Sequence, residues 1–141
     1  MSAKDIRNIV LLGHSGSGKT TLAERMLFLT GGTDRLGKIA DGNTVCDYDP
    51  EEIRRQISIS LAVAPVEYDS CKINVLDVPG GFDFAGEAAE AVQAADAAVI
   101  VCSAKAGISV GAEKAWKYCE KNALPRLIYI SKIDEENSDY N

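Results

Sequence analysis

Ile6 to Leu12 (IRNIVLL) is a short apolar run that ends at a glycine, as a buried strand does, and Lys19 to Leu29 then carries helix formers. Between them stands Gly13-His14-Ser15-Gly16-Ser17-Gly18-Lys19-Thr20, which reads G-x-x-x-x-G-K-T. A strand, a glycine loop and a helix in this order make a cradle for phosphates. Its glycines let backbone N–H groups close around an anion, and the helix N-terminus adds a favourable dipole. Lys19 is expected to reach the β- and γ-oxygens and to stabilise charge during catalysis, and the Thr20 hydroxyl to ligate magnesium. His14, Ser15, Gly16, Ser17, Gly18, Lys19, Thr20 and Thr21 are the expected nucleotide contacts here. His14, the only histidine, is expected to serve packing or backbone geometry rather than catalysis.

Composition narrows the setting. Lys and Arg total 15 against 21 Asp and Glu, a net charge of −6, so a broad basic face for nucleic-acid backbones and direct sequence-specific nucleic-acid binding are not expected. The longest apolar run, Ala97 to Cys102, is far short of the roughly 20 residues that span a bilayer. With no cleavable signal at the start, a cytoplasmic location without membrane attachment is expected. None of Cys46, Cys71, Cys102 and Cys119 lies in a C-x-x-C pair, so reduced thiols are expected rather than zinc or disulfides.

The rest of the chain alternates strand and helix. Leu36 to Gln56 is polar and broken by glycine and proline, and reads as a mobile loop with one short helical turn; Asp47 to Glu52 within it reads as solvated, with Tyr48 a weaker candidate for covering a nucleotide. From Ile57 the apolar odd positions Ile57, Ile59, Leu61 and Val63 predict a strand, and Pro65 places it at an edge. Asp69-Ser70 predicts a hairpin into a more buried strand, Lys72 to Asp77. Helix Ala85–Ala95, strand Ala97–Ser103, helix Val110–Asn122 and strand Leu127–Ser131 follow, with Trp116, Tyr118 and Tyr129 expected in the core. The alternation predicts one α/β domain over residues 1–141, with three αβα layers around a mostly parallel sheet. Ending just after a strand, it reads as a domain cut before a last strand and helix.

Asp-x-x-Gly occurs three times, but only Asp77-Val78-Pro79-Gly80 directly follows an apolar strand. There Asp77 would hold magnesium through water and Gly80 would offer its N–H to a γ-phosphate. Asp34–Gly37 and Asp83–Gly86 read as turn chemistry. Ser131-Lys132-Ile133-Asp134, at the end of the last strand, supplies a carboxylate for the N1–H and N2–H₂ edge of guanine, and the Lys132 stem for the face of the base. GTP or GDP is thereby favoured over ATP, although the phosphate loop alone also permits a P-loop ATPase or kinase.

These segments, with Ile53-Arg54-Arg55-Gln56-Ile57-Ser58-Ile59, resemble the GTP-binding motifs of the translational GTPases, and their order and spacing are similar to elongation factor G and its paralogues. The resemblance runs from about Asp5 to the C-terminus and covers the first part of that family's nucleotide-binding domain. It implies a P-loop NTPase fold, magnesium-dependent GTP hydrolysis, and a longer protein that engages the ribosome. It places Ser58 where the family usually has the threonine that ligates magnesium. Two further positions depart from the pattern. Ser131 stands for the asparagine whose amide braces the phosphate loop, so that this brace is expected to be lost, and Gly81 for the histidine that orients the attacking water. Slow hydrolysis follows as an expectation, with a non-hydrolysing, nucleotide-dependent ribosome-binding module as the alternative. Ser103-Ala104-Lys105 resembles the family's later base-contact loop by letters only, since it precedes the specificity motif; that later loop is expected to be missing.

Overall fold

β1 (Ile6–Leu12) is the middle strand of a five-stranded sheet, and its alternation explains the layering. Val10 and Leu12 face one side, while Leu11 faces the other, and all three are buried. The computed structural model describes residues 5–81, 85–136 and 138. Following β1 are α1 (Lys19–Leu29), a 3₁₀ turn at Ile39–Asp41, α2 (Pro50–Arg55), β2 (Ala62–Tyr68), β3 (Cys71–Asp77), α3 (Ala85–Ala94), β4 (Ala97–Ser103), α4 (Val110–Lys121) and β5 (Arg126–Ser131). The strand order is β2-β3-β1-β4-β5. All pairs are parallel except the β2–β3 hairpin. The mostly parallel α/β architecture read from the sequence is the one observed.

Both faces of the sheet are packed. On one side Val10, Leu12, Leu76, Ala98 and Ile100 meet Ala91 and Val92 of α3 and Ala112, Ala115 and Cys119 of α4. On the other side Leu11, Val75, Val99 and Val101 meet Ala23 and Leu27 of α1. β5 is different: Leu127, Ile128, Tyr129 and Ile130 are all exposed at the sheet edge. Of the aromatic residues expected in the core, only Tyr118 packs against it. Trp116 is exposed and lies under the Arg126 guanidinium, 3.9 Å from its ring centre. Among the described residues, no helix is long and apolar enough to cross a membrane, and all four cysteines are free thiols.

The hairpin forms as expected, with Pro65 on the edge strand and a two-residue turn at Asp69 (φ 47°) and Ser70 (φ 64°). The preceding strand differs in extent and phase. β2 begins at Ala62, and its inward positions are the even ones, Ala64 and Val66, while Val63 points outward. Ile57 to Leu61 forms no strand, because its backbone donors at 59–61 go to carboxylates instead of a ladder. Asp83, in the third Asp-x-x-Gly, lies outside the described residues.

Replacing Leu11, which is fully buried, with Ala is expected to cost about 2–5 kcal/mol of unfolding free energy. The same change at edge residue Leu127 is expected to cost about 0.5 kcal/mol or less. Urea unfolding of the two variants checks the contrast.

Candidate functional site

The loop after β1 is shaped by its glycines. Gly13 sits at φ +146°, and a Cβ there would run into the Val101 carbonyl oxygen, so only glycine passes that close to β4. Gly18, at φ +100°, is the residue on which α1 begins, and no side chain caps that end. The free N–H groups of the first turn therefore face the loop interior. Lys19 is buried and donates from Nζ to the carbonyls of Gly13 (3.1 Å) and His14 (2.9 Å). Burial lowers its pKa, against the pull of Asp77 and Asp47. An ammonium has three protons, so one remains for a ligand.

One residue further along α1, Thr20 Oγ1 donates to Asp77 Oδ2 at 2.6 Å. Asp77 arrives there because it ends β3, in register with Leu11 at the end of β1. Ser58 Oγ donates to Asp47 Oδ1 at 2.6 Å. The two hydroxyl oxygens lie 3.0 Å apart, and either could donate across that gap only by releasing its carboxylate. With both carboxylates ionised, two lone-pair-bearing oxygens face each other. Asp77 Oδ1 and Asp47 Oδ2 are buried without a hydrogen-bond partner. Burial, opposed mainly by the Thr20 hydrogen bond, pushes the Asp77 carboxyl up to about 6. It also raises Asp47, against the Ser58 hydrogen bond.

This cluster fits a hard divalent cation. Adjacent ligands of an octahedral magnesium, each at about 2.0–2.1 Å, stand about 3 Å apart, which is the Thr20–Ser58 spacing. The orphaned carboxylate oxygens supply the compensating charge, directly or through water. No group of three or more His, Cys, Asp or Glu residues converges among the described residues; two hydroxyls and two carboxylates form an all-oxygen set, which suits magnesium rather than zinc. A cavity of about 160 Å³ opens beside the cluster, with Lys19, Gly80 and Ile57 in its walls.

Gly80 is laid directly on the phosphate loop: a Cβ on it would lie 2.5 Å from both Lys19 Nζ and the Ser15 nitrogen. Gly81 lines a small cleft with Gly80, Gly111, Lys114 and Tyr118, and contributes no side chain to it. α4 reaches the loop because Gly111 has no Cβ, which would come within 2.7 Å of the His14 Cα. His14 thus serves as packing and as a carbonyl for Lys19, while Ser15, Gly16 and Thr21 are exposed.

Ser131 corrects an expectation. Its hydroxyl donates to the Ser17 carbonyl at 2.5 Å, with the Cys102 carbonyl 3.2 Å away, so the brace on the phosphate loop is kept by a shorter side chain. Lys132 takes a left-handed backbone (φ 58°) beside the loop, and its Nζ lies 3.6 Å from Glu135, which also pairs with Lys105. Asp134 is exposed at the same edge. Ser103 and Lys105 line a crevice with Lys132 and residues 14–17.

Sequence reasoning missed Asp47 and Glu52. Read as solvated, they are 4% and 1% exposed, whereas Tyr48 between them is 70% exposed. Asp49-Pro50-Glu51-Glu52 carries a legible signal, since it forms a capping box with proline at the first helical position. Asp47 carries no local signal; only the tertiary meeting with Ser58 reveals it.

The chain matches the family model described as the elongation factor Tu GTP-binding domain over residues 4–141. It is 42% identical over 135 residues, 96% of its own length, to an elongation factor G-like protein of Mycobacterium tuberculosis (strain ATCC 25618 / H37Rv). To the mitochondrial ribosome-releasing factor 2 of Drosophila willistoni it is 40% identical over 139 residues, 99% of its length. In each case it spans 19% of the relative. A solved structure from Thermus thermophilus superposes with a TM-score of 0.86 at 43% identity, covering 89% of this chain and 19% of the other. With the phosphate loop, the Asp77–Gly80 segment and the Ser131–Asp134 edge in these positions, the chain belongs to the translational GTPases, as an elongation-factor-G-like GTP-binding domain.

Proposed function

We propose that the chain binds GTP and GDP with magnesium and works as the nucleotide switch of a cytoplasmic translation factor that engages the ribosome. Residues 1–141 would form part of that factor's GTP-binding domain. The observation that carries this reading is the convergence of Lys19, Thr20, Ser58, Asp47 and Asp77 on one side of the phosphate loop. Thr20 and Ser58 would hold magnesium directly, and Asp77 and Asp47 through their free oxygens; when bound, the ion supplies positive charge to the β- and γ-oxygens.

The remaining steps belong to the chain's own groups. The loop N–H groups and the third Lys19 proton hold the phosphates. Gly80 offers its N–H to the γ-phosphate, tying the Asp77–Gly80 segment to the nucleotide state. Ser131 holds the loop from behind, and Lys132 and Asp134 select guanine. In hydrolysis, water attacks the γ-phosphorus and the bond to the GDP oxygen breaks, giving GDP and phosphate. Position 81 has no side chain to orient that water, so turnover is slow.

A second reading follows from the same glycine: a non-hydrolysing module that uses nucleotide only to order its loops before binding the ribosome. Gly81→His separates the two. If the chain is a GTPase limited at this position, the change raises single-turnover GTP hydrolysis by about 10- to 100-fold; a pure binding module gains nothing.

Titration with fluorescent GDP and GTP analogues tests nucleotide choice. A hundredfold excess of ATP is expected to leave binding in place, and Asp134→Asn to weaken GDP binding by about 10-fold or more. Competition by ATP as strong as by GTP points instead to a P-loop ATPase or kinase. Magnesium needs Asp77 deprotonated. With that carboxyl at about 6, magnesium-dependent binding is expected to weaken as pH falls from about 7 to about 5. In the unliganded protein the sign is opposite. A carboxyl raised above its unfolded value favours folding at low pH, and that contribution is lost as pH rises through about 6.

A further inference from the structure

The segment that carries Asp47 and Ser58 is held at both ends by carboxylates outside the cluster itself. On the incoming side, Glu24 of α1 accepts the N–H of Val45 (2.7 Å) and of Cys46 (3.1 Å) with Oε1. Gly37 packs against the same carboxylate, leaving no room for a Cβ. On the outgoing side, Glu52 Oε1 accepts the N–H of Ile59 (2.9 Å) and of Ser60 (3.1 Å), while Oε2 accepts that of Asp49 (3.0 Å). The next amide, Leu61, goes to Glu87 Oε2 of α3 at 2.9 Å. Glu24 and Glu52 are each 1% exposed. None of the ion pairs among the described residues involves either of them. A buried carboxylate with three backbone donors and no cation is a costly arrangement. The capping box of the six-residue α2 accounts for the Asp49 bond to Oε2, whereas the Oε1 bonds to Ile59 and Ser60 lie outside that helix.

Ser58 has no ladder to hold it, since the chain from Ile57 to Leu61 is not a strand. Its hydroxyl reaches Thr20 only if the peptide units just after it are fixed, and the acceptor that fixes the first two is Glu52. We propose that Glu52 is a positioning residue for Ser58: it grips the Ile59 and Ser60 amides and sets the Ser58 hydroxyl beside Thr20 in the triphosphate-bound state. It touches neither nucleotide nor metal. This rests on the nucleotide reading above, in which Ser58 would hold magnesium, and adds that its hold matters most when a γ-phosphate lies beside the ion, so that less depends on it with GDP.

The test is the affinity of the full chain for fluorescent GDP and for a non-hydrolysable GTP analogue, both with magnesium, in the unmodified protein and in Glu52→Gln and Glu51→Gln. A glutamine at 52 keeps the shape but carries an NH₂ where one carboxylate oxygen stood. Whichever way it turns, a donor faces a donor at Asp49 or at Ile59 and Ser60. Glu52→Gln is expected to weaken the GTP analogue about tenfold and GDP less than twofold. Glu51→Gln, at an exposed salt bridge to Arg54 and Arg55, is expected to change neither. Equal losses for both nucleotides, or no loss, overturn the role of Glu52 while leaving nucleotide binding intact. An unmodified chain that binds neither nucleotide overturns both readings. If Glu52→Gln does not fold, hydrogen exchange in the unmodified chain decides. The Ile59 and Ser60 amides are expected to exchange at least about tenfold more slowly with the GTP analogue than with GDP; equal exchange in the two states overturns the proposal.

Discussion

Thr20 and Ser58 face each other oxygen to oxygen at 3.0 Å, each giving its proton to a carboxylate. Such an arrangement sets two hydroxyl oxygens together between two buried carboxylates, and positive charge stabilises it. The fold brings the four groups from separate places. Thr20 stands at the start of α1 and Asp77 at the end of β3, brought together by the parallel β1–β3 pairing. Asp47 and Ser58 come from the long connection between α1 and β2. The glycines of the phosphate loop serve the same end: Gly13 lets β1 close on β4, and Gly80 lets the Asp77 segment lie on Lys19.

The α1–β2 connection is ordered by a different physics from the rest of the chain. Most of the fold is two apolar layers on a sheet, whereas this connection sends Cys46 and Leu61 into those layers and is held chiefly by the carboxylates of Glu24, Asp47, Glu52 and Glu87. Hydrogen bonds to buried carboxylates are directional and sensitive to charge, so this segment is held by geometry at a few named groups rather than by broad apolar burial.

The parts of the site that follow from local rules were legible in the sequence. Gly13 to Thr20 between a strand and a helix, and Asp77 after an apolar strand, found their places because backbone geometry and a single helix terminus determine them. The register of residues 57–63 was not legible. Alternation there gave the odd positions as inward, but a strand needs partners for its amides, and those of Ile59, Ser60 and Leu61 are taken by Glu52 and Glu87. Asp47 and Glu52 looked like solvated charge because composition cannot show that a carboxylate will be satisfied by distant backbone donors. Ser131 misled in the opposite direction. A shorter side chain than asparagine suggested a lost brace, yet its hydroxyl reaches the Ser17 carbonyl directly.

The most direct measurement is a crystal structure of the chain with manganese and a non-hydrolysable GTP analogue, with the metal located by anomalous scattering. The arrangement described here places the manganese peak between Thr20 Oγ1 and Ser58 Oγ, within about 2.0–2.3 Å of both, with Asp77 and Asp47 around it. A peak bound by other residues, or one with Ser58 and Asp47 turned away from Thr20, would contradict it.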